Sequence, residues 1–266
     1  MFKPIRWSLL AGALLAMGAA AADNQLTAPE KAAGWLPLFD GRSFAGWEDP
    51  AAKTPPGDSF VIEDGCLKAV PNARITEDLF TSRTFRDFEL EFDWKISPGG
   101  NTGVKYRIQD RVILRQSAGK FEDTVNASLR DRSATRPDRG QEYVVGFEYQ
   151  LLDNALNPDA RRGLTHRAGA LYDMAAPSRD ATRPVGQWNH SRLVVRGDRV
   201  EHWMNAVKVV DSGLNAPAVA RNTGARWGVG SPVYELLVSR PRTQCPISLQ
   251  NHESAAWFKN VKVRPL

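Results

Sequence analysis

Between Phe88 and Ile96 the chain alternates without a break: Phe88, Leu90, Phe92, Trp94 and Ile96 are apolar, while Glu89, Glu91, Asp93 and Lys95 are charged. Successive residues of a β-strand point to opposite faces, so this run describes a strand with one face in a core and the other in water. A helix would scatter the same apolar side chains around its circumference and bury none of them well. Ser97-Pro98-Gly99-Gly100 closes the run with turn chemistry. Residues 103–109 read as the next strand, so the two are expected as a hairpin.

Further strands are expected at 60–62, 66–70, 143–152, 191–196, 199–204, 208–211, 246–250 and 257–264, with Gly197-Asp198 and Asn205-Ala206 as tight turns. No internal repeat and no long helical period occurs. Short strands separated by turn residues predict an all-β sandwich or barrel. Residues 35–266 form one domain with no linker. Residues 111–142 are rich in Arg, Asp, Ser and Thr. They read as a surface insertion with one helical turn, either bordering a binding site or a plain excursion. Residues 23–34 read as a flexible lead-in.

The first 22 residues have a different character. Lys3 and Arg6 precede an apolar stretch with Leu9, Leu10, Leu14, Leu15 and Met17, and Ala19 to Ala22 follow. This is the order of a cleaved secretory signal, and the stretch is shorter than the ~20 residues of a membrane span. No cysteine follows it, which argues against a lipid anchor, and no later segment is apolar enough to span. A soluble periplasmic or secreted protein is expected. Removing residues 1–22 takes two positive charges from a net +5 and leaves +3, scattered along the chain. A nucleic-acid partner would call for a clustered basic stripe, so none is expected. Cys66 and Cys245 are the only cysteines. An oxidising compartment permits a disulfide between them, and spacing alone leaves bridge and free thiols open.

Several catalytic signatures are missing: no G-x-S-x-G elbow, no glycine-rich phosphate loop, no H-E-x-x-H. Glu89, Glu91 and Asp93 share a strand face, but lack the E-x-D-x-x-E arrangement of sandwich-fold glucanases and read better as a solvated face. Glu148 and Gln150, two apart on a strand, can grip a sugar hydroxyl, and a buried Glu148 gains the pKa of a base. Trp203 offers an indole face for a sugar ring, or packs in a core; Asn205 on the same face reads better as a turn residue. His252 stands in a loop, free to act as acid, base or ligand, or simply to bond its neighbours.

The chain resembles the 3-keto-disaccharide hydrolase family on motifs spread over residues 35–266. Trp35-Leu36-Pro37-Leu38-Phe39-Asp40-Gly41 with Gly46-Trp47 is similar to the family opening. Asn101-Thr102-Gly103-Val104-Lys105-Tyr106, Gly146-Phe147-Glu148-Tyr149-Gln150, Gly169-Ala170-Leu171-Tyr172, Val200-Glu201-His202-Trp203 and Leu249-Gln250-Asn251-His252 follow in family order. The resemblance implies a concanavalin A-like jelly roll of two curved antiparallel sheets, and glycosides oxidised at C3 as substrates. It points to Asn101, Lys105, Glu148, Gln150, Tyr172, Trp203, Gln250 and His252. Asn251-His252-Glu253 departs from the usual Asp-His-Gly, Cys245-Pro246-Ile247 from Gly-Pro-Ile, and Asn205-Ala206 from Asn-Gly, which weakens a type I′ turn there.

A ketone at C3 acidifies the C2 proton, and the glycosidic oxygen on C1 lies β to that ketone. Cleavage then needs one base, donors for the enolate oxygen and an acid for the leaving group, after which water adds to the enone. Glu148 or His252 is expected as base and Lys105 as the cation for the enolate, with a divalent metal on His252 and Glu148 as alternative electrophile. No other cofactor is implied; an oxidoreductase that makes the C3 ketone is the implied pathway partner. The competing readings are a non-catalytic lectin-like domain and, third, a conventional glycosidase using Glu89, Glu91 and Asp93.

Overall fold

The structure is a computed structural model that describes residues 22–48, 59–117, 120–121, 124–132 and 137–266. The signal-peptide expectation therefore lies outside the described residues, apart from Ala22. The strands in chain order are β1 (Leu36–Pro37), β2 (Trp47–Glu48), β3 (Phe60–Glu63), β4 (Cys66–Ala69), β5 (Ile75–Thr76), β6 (Leu79–Thr81), β7 (Phe88–Ile96), β8 (Asn101–Ser117), β9 (Lys120–Phe121), β10 (Gly140–Leu152), β11 (Asn189–Arg196), β12 (Arg199–Met204), β13 (Val207–Gly213), β14 (Ser248–Leu249) and β15 (Ala256–Pro265). Among the described residues they form two sheets. The first runs β13-β12-β11-β7-β15-β4-β3 with β1 beside β15; the second runs β2-β6-β14-β8-β10-β5 with β9 beside β8. All pairings are antiparallel except β5 with β10. This is a jelly-roll sandwich, as expected.

Burial of the facing sides holds the sheets together. Phe88, Leu90, Phe92, Trp94 and Ile96 of β7 are buried, as are Val104 and Tyr106 of β8 and Phe147, Tyr149 and Leu151 of β10. Each such side chain contributes about 1.5–3 kcal/mol. The Phe92 and Tyr149 rings meet edge-on across the layers at 6.1 Å. His202 lies fully buried among them, stacked on Tyr149 at 4.2 Å. Its Nδ1 faces the Gly169 carbonyl at 3.0 Å and so carries the hydrogen; Nε2 then accepts from the Tyr106 hydroxyl at 3.0 Å. Burial keeps this imidazole neutral and lowers its pKa to about 4.

The expected hairpin of β7 and β8 does not form. β7 pairs with β11 and β15 in the first sheet, and β8 with β10 and β14 in the second. Residues 97–100 thus carry the chain from one layer to the other. Asp153 and Asn157 hold that corner, accepting from the Gly99 N–H at 2.8 Å and donating to the Gly99 carbonyl at 2.8 Å. The outward acids of β7 are bonded to basic side chains. Glu89 meets Arg192 and Arg264, Glu91 meets Lys262 at 3.0 Å, and Asp93 meets His190 at 2.8 Å.

Three other expectations change. Much of the supposed insertion is sheet: residues 111–115 pair with 140–144, and only α1 (Val125–Arg130) is a helix among its described residues. The lead-in is latched to β15, with Asn24 and Asn260 exchanging backbone-to-side-chain hydrogen bonds at 2.6 and 2.8 Å. The Asn205-Ala206 turn is type I′ after all, with φ of 48° and 66°. An unforeseen helix, α2 (Pro217–Trp227), starts on a proline and stops at Gly228, whose φ is 87°. Among the described residues no helix is long and apolar enough to cross a membrane.

Candidate functional site

Strand parity assembles the site. On β8, Thr102, Val104 and Tyr106 face the core, so Asn101, Gly103 and Lys105 face the opposite side of the second sheet. On β10 the same logic turns Glu148 and Gln150 outward. Register places Glu148 directly opposite Lys105 and Gln150 opposite Gly103. On the other flank Ser248 stands opposite Lys105, and the Gln250 N–H donates to the Gly103 carbonyl at 2.9 Å. Gly103 makes room for the carboxylate: a Cβ there would lie 2.2 Å from Glu148 Oε1.

The groups so gathered are bonded to one another. The amide orientations of Gln150 and Gln250 follow from their neighbours. Gln150 Nε2 donates to Glu148 Oε1 at 3.1 Å and to the Thr102 carbonyl at 3.0 Å. Gln250 Nε2 donates to Glu148 Oε1 at 3.3 Å, and its Oε1 accepts from Lys105 Nζ at 3.1 Å. Lys105 is 3% exposed and Asp78 1%. They form an ion pair at 3.6 Å, and Ser248 Oγ donates to Asp78 at 2.9 Å. The Asp78 N–H donates to Glu142, whose other oxygen meets Arg111 at 2.8 Å.

This packing sets the protonation states. Burial raises the Glu148 carboxyl, against the pull of Lys105 and with a push from Asp78. Burial works against the Lys105 cation, but Asp78 and Glu148 outweigh it and keep the ammonium charged. Burial and the charge of Asp78 push Glu142 up to about 8. Burial, joined by the Lys105 charge, lowers His252, so its imidazole is neutral and able to accept a proton.

The loop after β10 folds back along it, with the Tyr172 N–H donating to the Glu148 carbonyl at 2.9 Å. That brings Tyr172 beside Glu148, and its hydroxyl donates to Asp159 at 2.8 Å. Tyr143, Glu148, Tyr172, Arg226 and Trp227 line a common cavity. Lys105 Nζ lies 5.6 Å from the Tyr143 ring centre.

Of the residues read from sequence, the structure brings together Lys105, Glu148, Gln150, Tyr172 and Gln250. Asn101 is buried on the same face at the start of β8. His252 follows Gln250 by two residues and is close enough to feel the Lys105 charge. Trp203 is a correction. It stands on the outer face of the first sheet, between Arg192 and Lys208, with its Nε1 bonded to Glu201 at 2.8 Å. Of the two alternatives left open for the cysteines, the structure has the free thiols: Cys66 and Cys245 are both unbridged and buried. Cys66 belongs to β4 of the first sheet, whereas Cys245 packs with Phe80, Ile108 and Val144. Glu148 and His252 were the residues offered to a metal; among the described residues no group of three or more His, Cys, Asp or Glu is arranged to hold one. Sequence reasoning missed Asp78, Glu142, Tyr143, Asp159 and Arg226. Asp78 sits in a bare Glu-Asp pair, and Arg226 in a helix with only a proline start and a glycine stop to mark it.

Comparison with known proteins bears on the family and the fold. Residues 34–264 match the family described as the 3-keto-alpha-glucoside-1,2-lyase-like domain. A 3-keto-disaccharide hydrolase of Bacteroides thetaiotaomicron is 28% identical over 263 residues, covering 93% of this chain and 83% of that protein. A crystal structure titled "putative glycosyl hydrolase" from Parabacteroides distasonis superposes with a TM-score of 0.67 at 26% identity, covering 92% of this chain and all of that one. A second structure from that organism, at 22% identity and a TM-score of 0.57, shares the fold.

Proposed function

The chain belongs to the 3-keto-alpha-glucoside-1,2-lyase-like family, and from that premise we propose that it cleaves 3-keto-glycosides by proton abstraction at C2, elimination and hydration. The observation that carries this reading is Glu148: a half-buried carboxylate set directly opposite a lysine, with its pKa raised by desolvation.

Glu148 takes the C2 proton, and the C–H electron pair moves into the C2–C3 bond, placing negative charge on the C3 oxygen. The ketone re-forms as the C1–O bond breaks, giving an enone with a C1–C2 double bond. The departing oxygen gains a proton, for which protonated Glu148 is one source. Water then adds its oxygen to C1 and its proton to C2, so the sum is hydrolysis. Gln150 and Gln250 fix Glu148 through its Oε1, and their side chains on the sheet face are suited to read sugar hydroxyls. His252, with its pKa lowered by desolvation and close enough to feel the Lys105 charge, is a second proton acceptor. The substrate requires a prior oxidation at C3, so the enzyme works with a sugar 3-dehydrogenating partner. The leader-like N-terminus supports a meeting of the two in the periplasm or outside the cell.

The experiment offers a 3-keto-glucoside and the matching unoxidised glucoside to the purified protein. Release of aglycone from the keto-sugar alone is expected. Turnover of the unoxidised sugar alone contradicts the proposal, and tight glycan binding without product from either substrate points instead to a lectin.

A further inference from the structure

The reaction above places a full negative charge on the C3 oxygen, and Lys105 is poorly placed to meet it. Its ammonium is buried and directed at Asp78 and Gln250. The cavity lined by Glu148 contains a different cation. Among its described lining residues, Arg226 alone is positively charged.

Arg226 is held for such a task. It stands in the last turn of α2, which docks on the loop after β10 through Asn222, whose Nδ2 donates to the Met174 carbonyl at 2.9 Å. The guanidinium lies over the Tyr172 ring at 5.0 Å and the Trp227 ring at 4.7 Å. One terminal nitrogen pairs with Asp173 at 3.2 Å, and the other donates to the Tyr143 hydroxyl at 3.2 Å. A guanidinium has five N–H donors, so donors remain. The side chain is 26% exposed, which leaves it reachable from solvent where Lys105 is not. A donor fixed before reaction costs no reorganisation when charge develops, which is where oxyanion stabilisation gets its strength.

We propose that Arg226 is a catalytic residue, whose guanidinium donates to the C3 oxygen as the enolate forms, while Lys105 is a positioning residue that balances the charges of Glu148 and Asp78. No new co-reactant enters. The proton still goes to Glu148, the C2 electron pair to the C3 oxygen and back, and the C1–O bond is the one broken. The inference rests on the proposed reaction.

The test compares wild type, Arg226→Lys and Arg226→Ala on a 3-keto-glucoside, reading kcat, KM and exchange of the C2 proton in deuterated water. Thermal melting confirms which variants are folded. Arg226→Ala is expected to lose 100-fold or more in kcat, in line with the roughly 10²–10³ of a lost oxyanion donor. C2 exchange should fall in step, and added guanidinium ion should restore part of both. Arg226→Lys should fall between the two. A folded Arg226→Ala with kcat within about threefold of wild type, or a loss confined to KM, overturns the inference, as does a loss that guanidinium leaves untouched in Arg226→Ala while Arg226→Lys is no better. A wild type that releases nothing from the keto-sugar removes the parent reading, and the inference falls with it.

Discussion

Gly103→Ala is the smallest change that bears on the catalytic carboxylate. The new methyl would lie 2.2 Å from Glu148 Oε1 and 2.8 Å from both Cδ and Cγ. Ordinary contact is ~3.5 Å or more, so the carboxylate must retreat by roughly 1 Å. Gly103 has no positive φ, so alanine fits the backbone there and gains up to about 1 kcal/mol from reduced chain freedom. Against that, retreat breaks the bonds from Gln150 and Gln250 to Oε1, each worth about 1–3 kcal/mol since one is a carboxylate acceptor. The net is a loss of about 1–6 kcal/mol, or a melting temperature lower by roughly 2–24 °C for a domain of this size. Activity should suffer far more, because a displacement near 1 Å costs about 100-fold. Calorimetry and steady-state rates on a 3-keto-glucoside measure the two effects. A folded Gly103→Ala protein with wild-type kcat would refute the placement of Glu148 as base.

Three further outcomes follow from the structure. His202 is buried neutral with a pKa near 4 against an ordinary 6.5. The unfolded chain therefore binds its proton first, and stability present above pH 6.5 drains away as pH falls towards 4, by about 3 kcal/mol from this group; urea melts at pH 7 and 4.5 should show that loss, and His202→Gln should be less stable at pH 7 with a flatter pH dependence. Cys66 and Cys245 are free, so the denatured, unreduced protein should yield two titratable thiols, whereas a bridged protein would yield none. Ala206 holds φ at 66°, a conformation that costs a non-glycine residue about 1 kcal/mol, so Ala206→Gly should raise the melting temperature by about 2–4 °C; a fall would contradict the turn.

Much of this architecture is written in local pattern. The alternation of β7 gave its core face correctly, because burial of one strand face depends only on the residues of that strand. The partner did not follow. Ser97-Pro98-Gly99-Gly100 is suited equally to a hairpin and to a step between layers, and the choice is made by Asp153 and Asn157, more than fifty residues away. Parity likewise put Glu148 with Gln150 and Lys105 with Gly103. What it does not say is which of two sheets a face belongs to, and Trp203 was misplaced for that reason. Asp78 and Arg226 reach the site through tertiary packing, from a short connector and a weakly marked helix. Only the motif resemblance tied Gln250 and His252 to Glu148 before the structure did.

The central claim is that Glu148 removes a proton from C2. It is tested most directly by running the reaction in deuterated water and reading the isotope at C2 of the released 3-keto-sugar, against a control of that sugar incubated without active enzyme. Elimination and hydration predict one solvent deuterium at C2 in the first product formed, with Glu148→Gln abolishing both release and incorporation. Product that retains its original C2 hydrogen, released at full rate, would contradict the account.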